Sequence, residues 1–279
     1  MNTLAFSPGH LNEPVDGDIV VAYQHHGLLA YQDHGSSDCG LLLLPGWCES
    51  RAVFAPLIEH LQLRWRILSV DLPGHGASPM PMRDFGFDEI AAATTEAIEQ
   101  SGLQRVIPVT HSDAGWVAIE LRRRLGARIP SLVLLDWLVL DPPPALRYLP
   151  GLQDPDHWQD TCDRLFLTWL GGSAPLRVTR HVVKDMGSYE ASMWARAARE
   201  IDRAYRLWGN PLKVLEGLDP TVPTLHIYAQ PADNGYLHAQ QEFARRHAWF
   251  TVQRLEARTY FPSLEAPEQV ATAIHDFIA

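Results

Sequence analysis

The sequence predicts an α/β protein built on a mostly parallel sheet of about eight strands, with right-handed crossovers and a helical lid inserted after the sixth strand. Three observations predict it. Short apolar runs alternate with segments of helical period along most of the chain. One of these runs, Val106 to Val109, breaks at Thr110-His111-Ser112 and passes directly into the helical pattern Gly115 to Leu121. From Pro142 to about Leu218 the strands stop, and Trp158, Phe166, Trp169, Trp194 and Trp208 fall on helix-like segments punctuated by Gly171-Gly172 and Gly187. The expected division is therefore a core at 1–141 and 219–279 and an aromatic-rich lid at 142–218 over the carboxyl edge of the sheet, where ligands bind in such folds.

In order along the chain, Ile19 to Gln24 and Leu28 to Asp33 are β-rich runs separated by His25-His26-Gly27, a hairpin opening the sheet. The paired histidines read as turn residues, because no third ligand lies at a useful spacing. Leu41-Leu42-Leu43-Leu44 is a continuous apolar run, as expected of a strand buried on both faces, and it ends in the loop Pro45-Gly46-Trp47. A helix from about Arg51 to Leu61 leads to a strand over Trp65–Asp71 and then to Asp71-Leu72-Pro73-Gly74-His75-Gly76-Ala77-Ser78, a turn whose glycines make His75 structural rather than catalytic. Phe87–Ser101 is an amphipathic helix. The strand before Ser112 follows, and then a strand over Ser131–Trp137 that carries Asp136 at its carboxyl end. After the lid come a strand at Thr224–Tyr228, a helix around Ala239 to Arg246, a strand at Phe250–Leu255 and a last helix from Pro267 to Ala279.

Composition excludes several classes of function. With 279 residues, 46% of them hydrophobic, the chain buries a full core. A formal charge of −10, with no basic block longer than Arg122-Arg123-Arg124, argues against nucleic acid or an anionic membrane as partner. Three irregularly spaced cysteines give neither a disulfide framework nor a metal pattern and point to a reducing compartment. The first 25 residues carry Glu13, Asp16 and Asp18 and lack a basic start and an apolar core, so no signal peptide is expected, and a cytoplasmic location follows.

The chemistry gathers around Ser112. A serine on a sharp strand-to-helix turn has an exposed hydroxyl, and the helix that follows aims its first amides at developing negative charge. Thr110 and Ala114 stand where the usual small residues flank such a serine, and Gly115 comes one position late. The amide of Trp47, in the loop after the Leu41–Leu44 strand, is the expected second donor.

By these features the chain resembles the α/β-hydrolase fold over nearly its full length. Within that fold it resembles the cofactor-independent 2,4-dioxygenases of 3-hydroxy-4(1H)-quinolones and quinaldines. The likeness is carried by Leu44-Pro45-Gly46-Trp47-Cys48, the Ser112 turn with Trp116, Leu135-Asp136-Trp137-Leu138, Trp169-Leu170, Trp194 to Ile201 with Tyr205 and Trp208-Gly209, His226 to Pro231, and Phe261-Pro262-Ser263-Leu264-Glu265. The resemblance implies a reaction without metal, flavin or other cofactor. A histidine oriented by an aspartate deprotonates the substrate's 3-hydroxyl, the anion reacts with O2 at C2, and ring opening through C4 releases carbon monoxide and an N-acylanthranilate. It further implies Asp136 as the orienting acid, Ser112 as a hydrogen-bonding substrate anchor, the Trp47 and Asp113 amides as an anion cradle, and Cys48, Glu49, Trp137, Trp169 and Phe261 beside the flat substrate.

The sequence departs from that family at the base. Tyr260 stands where the family carries histidine, and a phenol of pKa about 10 is a poor base but a good donor at neutral pH. His111, beside Ser112, is the local substitute if it faces the pocket; otherwise it hydrogen-bonds to backbone. Glu49 and Asp113 place carboxylates near the two cradle amides and disfavour an anionic ligand unless they are protonated or turned away. Two other functions therefore stay open: a lyase or a hydrolase with a rearranged triad, for which Asp233 is the alternative acid, and a binding protein that kept the aromatic pocket without turnover.

Overall fold

A computed structural model describes residues 21–26, 29–140 and 144–279. The acidic stretch Glu13 to Asp18, the start of the first strand at Ile19-Val20 and the core–lid boundary at 141–142 lie outside the described residues. Eight strands form one sheet: β1 (Val21–His26), β2 (Leu29–His34), β3 (Cys39–Leu44), β4 (Arg66–Asp71), β5 (Arg105–His111), β6 (Leu132–Leu135), β7 (Thr224–Tyr228) and β8 (Phe250–Arg254). Their spatial order is β1-β2-β4-β3-β5-β6-β7-β8. The β1–β2 and β2–β4 pairs are antiparallel, and every pair from β4 through β8 is parallel. The sheet is thus a hairpin edge on a parallel body, and all body strands deliver their loops to one edge.

Helices α1 (Ala55–Leu61), α2 (Phe87–Ser101) and α3 (Gly115–Leu125) alternate with the first body strands. Between β6 and β7 come α4 (Leu149–Leu152), α5 (Trp158–Leu170), α6 (Leu176–Arg180), α7 (Ala191–Trp208) and α8 (Pro211–Glu216), which are the inserted lid. The order closes with α9 (Asn234–Arg246), α10 (Pro262–Glu265) and α11 (Pro267–Ile278). The leucine run of β3 is wholly buried, and each such side chain contributes about 1.5–3 kcal/mol relative to exposure.

Local chemistry fixes several boundaries. The Gly86 amide donates to Glu89 Oε2 at 2.8 Å to start α2, and Gly102 at φ +72° ends it. Helix α9 begins at Asn234, earlier than its periodicity suggests, because Asp233 accepts the Tyr236 amide at 2.8 Å as a cap. Strand β6 ends at Leu135, short of the expected Trp137, because Asp136 turns the chain at φ +44°. The glycine turn after β4 serves the fold: Asp71 takes the amides of Arg51 and Ala77, and the Ser78 hydroxyl accepts the Ala30 amide from β2. A β-carbon on Gly76 would stand 2.3 Å from the Asp71 carboxyl, so that position admits only glycine.

The lid is rooted to the core by rings. Trp116 on α3 meets Trp137 edge-on at 4.9 Å and lies 5.6 Å from Tyr205 and 5.2 Å from Trp208 on α7. The Tyr205 hydroxyl donates to the Leu138 carbonyl at 2.9 Å. A β-carbon on Gly115 would stand 2.2 Å from the Trp137 ring, which explains why the glycine comes one position late in the serine turn. Among the described residues, no helix is long and apolar enough to cross a membrane.

Candidate active site

The loops after β3, β5, β6 and β8 converge at the carboxyl edge of the sheet, beneath α5 and α7, and enclose a cavity of about 1130 Å³ including its mouth. Its lining contains Ser112, His111, Asp136, Tyr260, Trp47, Glu49, Asp113, Trp137, Trp169 and Phe261, so residues up to 214 positions apart in sequence meet at one place. Cys48 does not line it. That residue is wholly buried beneath the wall, and its amide donates to His75 Nε2 at 3.0 Å. His75, whose other ring nitrogen donates to the Pro73 carbonyl at 2.8 Å, is the structural post of this loop, and burial lowers its pKa to about 4.

Backbone strain marks the site. Among the described residues, the non-glycine positions with positive φ are Cys48 at +58°, Ser112 at +50° and Asp136 at +44°. They follow β3, β5 and β6, which are neighbours in the sheet. Left-handed backbone at non-glycine residues costs about 1–3 kcal/mol each and persists where surrounding structure enforces it.

His111 is not the free base that its position beside Ser112 suggests. Its Nδ1 lies 2.8 and 2.9 Å from the two oxygens of Glu49, and its Nε2 lies 2.8 Å from the Tyr260 carbonyl oxygen. A carbonyl only accepts, and an ionised carboxylate only accepts, so both ring nitrogens carry protons and neither offers a lone pair. Burial opposes that charge, but the charge and hydrogen bonds of Glu49 outweigh it, with help from Asp136 and the Tyr260 carbonyl, and raise the His111 pKa to about 9. Burial pushes Glu49 upward in turn, and His111 pulls it below its ordinary value. Glu49 also folds back to take the Gly46 amide at 3.0 Å. The expected conflict between Glu49 and an anionic ligand is thereby resolved, since Glu49 is paired with a cation.

Asp136 behaves differently. It is 4% exposed, and its Oδ1 accepts the amides of Ala229 at 2.8 Å and Gln230 at 3.3 Å. Its Oδ2 has no hydrogen-bond partner among the described residues. Burial pushes its pKa up to about 7 against the Ala229 amide, the His111 charge and the Gln230 amide, with Glu265 adding to the rise. This carboxyl therefore exchanges protons near neutral pH. The Tyr260 phenol is raised above its ordinary value, first by burial and then by Asp136, so it stays protonated and cannot serve as resting base.

Ser112 lacks the partner a hydrolase needs. Among the described residues, no histidine hydrogen-bonds its hydroxyl; that hydroxyl interacts instead with the neighbouring Asp113 carboxyl. Asp233, the alternative acid, is spent in capping α9 and does not line the cavity.

The upper wall is aromatic and aliphatic. Trp169 stacks on Trp194 at 6.4 Å and meets Phe261 edge-on at 6.4 Å, while Trp47 stacks on Phe85 at 5.5 Å. Sequence reasoning took Trp194 to Tyr205 as family likeness and missed that Trp194, Ala197, Ile201 and Tyr205 form one helix face on the cavity; their spacing of three to four residues was the available signal. It also missed His181, buried in the lid with Nδ1 3.4 Å from Asp185 and its ring 5.3 Å from Phe261. Among the described residues, no group of three or more His, Cys, Asp or Glu side chains is arranged to hold a metal ion.

Comparison with known proteins agrees with this geometry. Residues 41–273 match the alpha/beta hydrolase family. A 2-heptyl-3-hydroxy-4(1H)-quinolone dioxygenase of Mycobacteroides abscessus is 35% identical over 255 residues, spanning 90% of this chain and 94% of that protein. A 1H-3-hydroxy-4-oxoquinoline 2,4-dioxygenase of Pseudomonas putida is 33% identical over 253 residues, spanning 90% and 96%. The solved structure of an AqdC variant with its substrate, described as a recognition and ring-cleavage enzyme for the Pseudomonas quinolone signal, superposes with a TM-score of 0.85 at 35% identity and covers 90% of this chain and 95% of that one. The family match over residues 41–273 and the identity of 33–35% over almost the whole chain make the protein a member of the α/β-hydrolase family and, within it, of the 3-hydroxy-4-quinolone dioxygenases.

Proposed function

We propose that the protein is a cofactor-free dioxygenase that cleaves a 3-hydroxy-4(1H)-quinolone, consuming O2 and releasing carbon monoxide and an N-acylanthranilate. The observation that carries this reading is Asp136: a buried carboxyl at the cavity wall, pinned through one oxygen by two amides and, among the described residues, without a partner on the other. It takes the proton of the 3-hydroxyl directly, in place of the histidine that Tyr260 has replaced. The O–H bond of the substrate breaks, an O–H bond forms on Asp136, and the electron pair left on the ring makes C2 nucleophilic. Dioxygen adds at C2, the resulting peroxide closes onto C4, and collapse expels C3 as carbon monoxide. Substrate plus O2 equals N-acylanthranilate plus carbon monoxide, and the proton on Asp136 leaves with the products.

The remaining groups position the ring. Trp47 and Trp169 supply flat apolar faces, and such contacts contribute about 0.5–1.5 kcal/mol beyond burial. The Ser112 hydroxyl anchors a polar edge. Leu146, Leu149, Leu152, Leu165, Met186 and Ile201 line the cavity, and they suit an alkyl substituent at C2, as in the substrate named for the Mycobacteroides relative. Hydrolysis is disfavoured because, among the described residues, no histidine pairs with the Ser112 hydroxyl.

The test is incubation with 2-alkyl-3-hydroxy-4(1H)-quinolones under air and under nitrogen. One carbon monoxide per quinolone consumed, only in air, is the expected result. Consumption without carbon monoxide points to a different reaction on this fold, and binding without consumption points to a binding protein.

A further inference from the structure

Asp113 stands directly after the strained serine, at the entrance to α3. It is 8% exposed, lines the cavity and leaves Oδ2 without a partner among the described residues. Its Oδ1 lies 3.4 Å from the place a β-carbon on Gly46 would occupy, and the Glu49 carboxyl carbon lies 3.5 Å from the same place. Two carboxyls thus flank one glycine. The His111 cation is already shared between both oxygens of Glu49, and among the described residues no lysine or arginine lines the cavity. A negative charge on Asp113 would stand buried and uncompensated beside that of Glu49.

We propose that Asp113 meets the substrate as a carboxylic acid and donates a hydrogen bond to the 4-oxo oxygen, so that the quinolone sits between a carboxylate, Asp136, and a neutral acid. This assignment rests on the quinolone reading. The 3-hydroxyl and 4-oxo groups of that ring are an adjacent donor and acceptor. They match an accepting Asp136 and a donating Asp113. The donor is needed when the peroxide on C2 closes onto C4: the C4–O π bond breaks and its electron pair goes to the 4-oxygen as an alkoxide. A positioned donor at a developing oxyanion strengthens as the charge grows. The side chain of Asp113, rather than the Trp47 and Asp113 amides alone, then forms the cradle.

The surroundings support the neutral form. Burial first and the Glu49 charge second push the Asp113 pKa up to about 7, against its own amide, the His111 charge and the Ser112 hydroxyl. The other titratable groups facing it are Cys48 and Tyr205, both neutral and both raised by burial. The sign is opposite for the two aspartates. Asp136 gains competence as pH rises through about 7, while Asp113 loses its proton over the same range. Activity therefore occupies a narrow window around neutrality, with macroscopic limbs belonging to the pair. With both carboxyls raised to about 7, the productive form, Asp136 ionised and Asp113 protonated, is one of the pair's two singly protonated states.

The experiment compares wild type, Asp113→Asn and Asp113→Ala for kcat/KM on a 2-alkyl-3-hydroxy-4(1H)-quinolone from pH 5.5 to 9.5. Oxygen-free binding of the same quinolone is followed in parallel by tryptophan fluorescence. An asparagine keeps an N–H donor that does not ionise. Asp113→Asn should stay within about tenfold of wild type at pH 6.5 and lose the alkaline fall, while Asp113→Ala should drop about 10²-fold, the effect of deleting an oxyanion donor. Wild-type affinity without oxygen should weaken as pH rises above 7. An alkaline fall that persists in Asp113→Asn, an alanine variant as active as the asparagine one, or a wild-type affinity that does not weaken above pH 7 overturns the assignment while leaving the quinolone reading intact. A wild type that neither binds nor consumes quinolone overturns that reading and this assignment with it.

Discussion

The two loops that flank the serine turn carry the same kind of side chain to opposite ends. On one side, after β3, Glu49 is 3% exposed and locked to the His111 imidazolium and the Gly46 amide. On the other, after β6, Asp136 is equally buried but, among the described residues, holds only amides on one oxygen and nothing on the other. Burial raises both carboxyls. A neighbouring cation brings the first below its ordinary value, and the lack of a dedicated cation leaves the second at about 7. The difference teaches that residue type does not assign the role here; the partner does. Glu49 is an anchor whose charge is spent, and Asp136 is the group left able to take a proton.

The most direct way to break this comparison is Asp136→Asn, which keeps the shape and removes the acceptor. A loss of roughly 10² to 10⁴ in kcat/KM is expected, the usual effect of deleting a general base. Steady-state oxygen consumption reads it, and a variant within threefold of wild type would return the base to another residue.

Glu49→Gln should act on stability first. Removing one member of a buried ion pair costs about 3–5 kcal/mol, so urea unfolding at pH 6 should shift by that amount. The sign with pH follows from the raised His111 pKa: its contribution is fully present below the unfolded value of 6.5 and is lost as pH rises through about 9. The gap between wild type and variant should therefore close between pH 6.5 and 9. A gap constant over that range would mean that His111 is not the cation described.

Tyr260→Phe is expected to have the smallest effect, within about threefold in kcat, because the residue serves His111 through its backbone carbonyl and its phenol stays protonated. A hundredfold loss would make the phenol a participant in the chemistry and shift weight from Asp136.

Much of this architecture was legible in the chain. The leucine run of β3, the boundaries of α2 and the turn at Ser112 were readable because each depends on residues within a few positions of one another. The convergence of Trp47, Ser112, Asp136 and Tyr260 was readable because every body strand delivers its loop to one edge. The Glu49–His111 pair was not. Its members are 62 positions apart, and an imidazole beside a serine reads as a base until its two acceptors are seen. The rise of the Asp113 pKa was hidden for a related reason, since it comes from burial and from the charge of Glu49, 64 positions away. Cys48 was misplaced because a left-handed turn directs it beneath the wall rather than onto it.

The three left-handed residues that follow neighbouring strands have a consequence for how such a site responds to substitution. Cys48, Ser112 and Asp136 take their left-handed backbone just past the ends of the neighbouring strands β3, β5 and β6. A substitution at 49 or 113 therefore falls one residue from a constrained turn: it changes the charge beside the cavity, and at 49 it also removes the ion pair with His111. The main chain preserves the address of the reaction, and the substitutions redistribute who holds its protons.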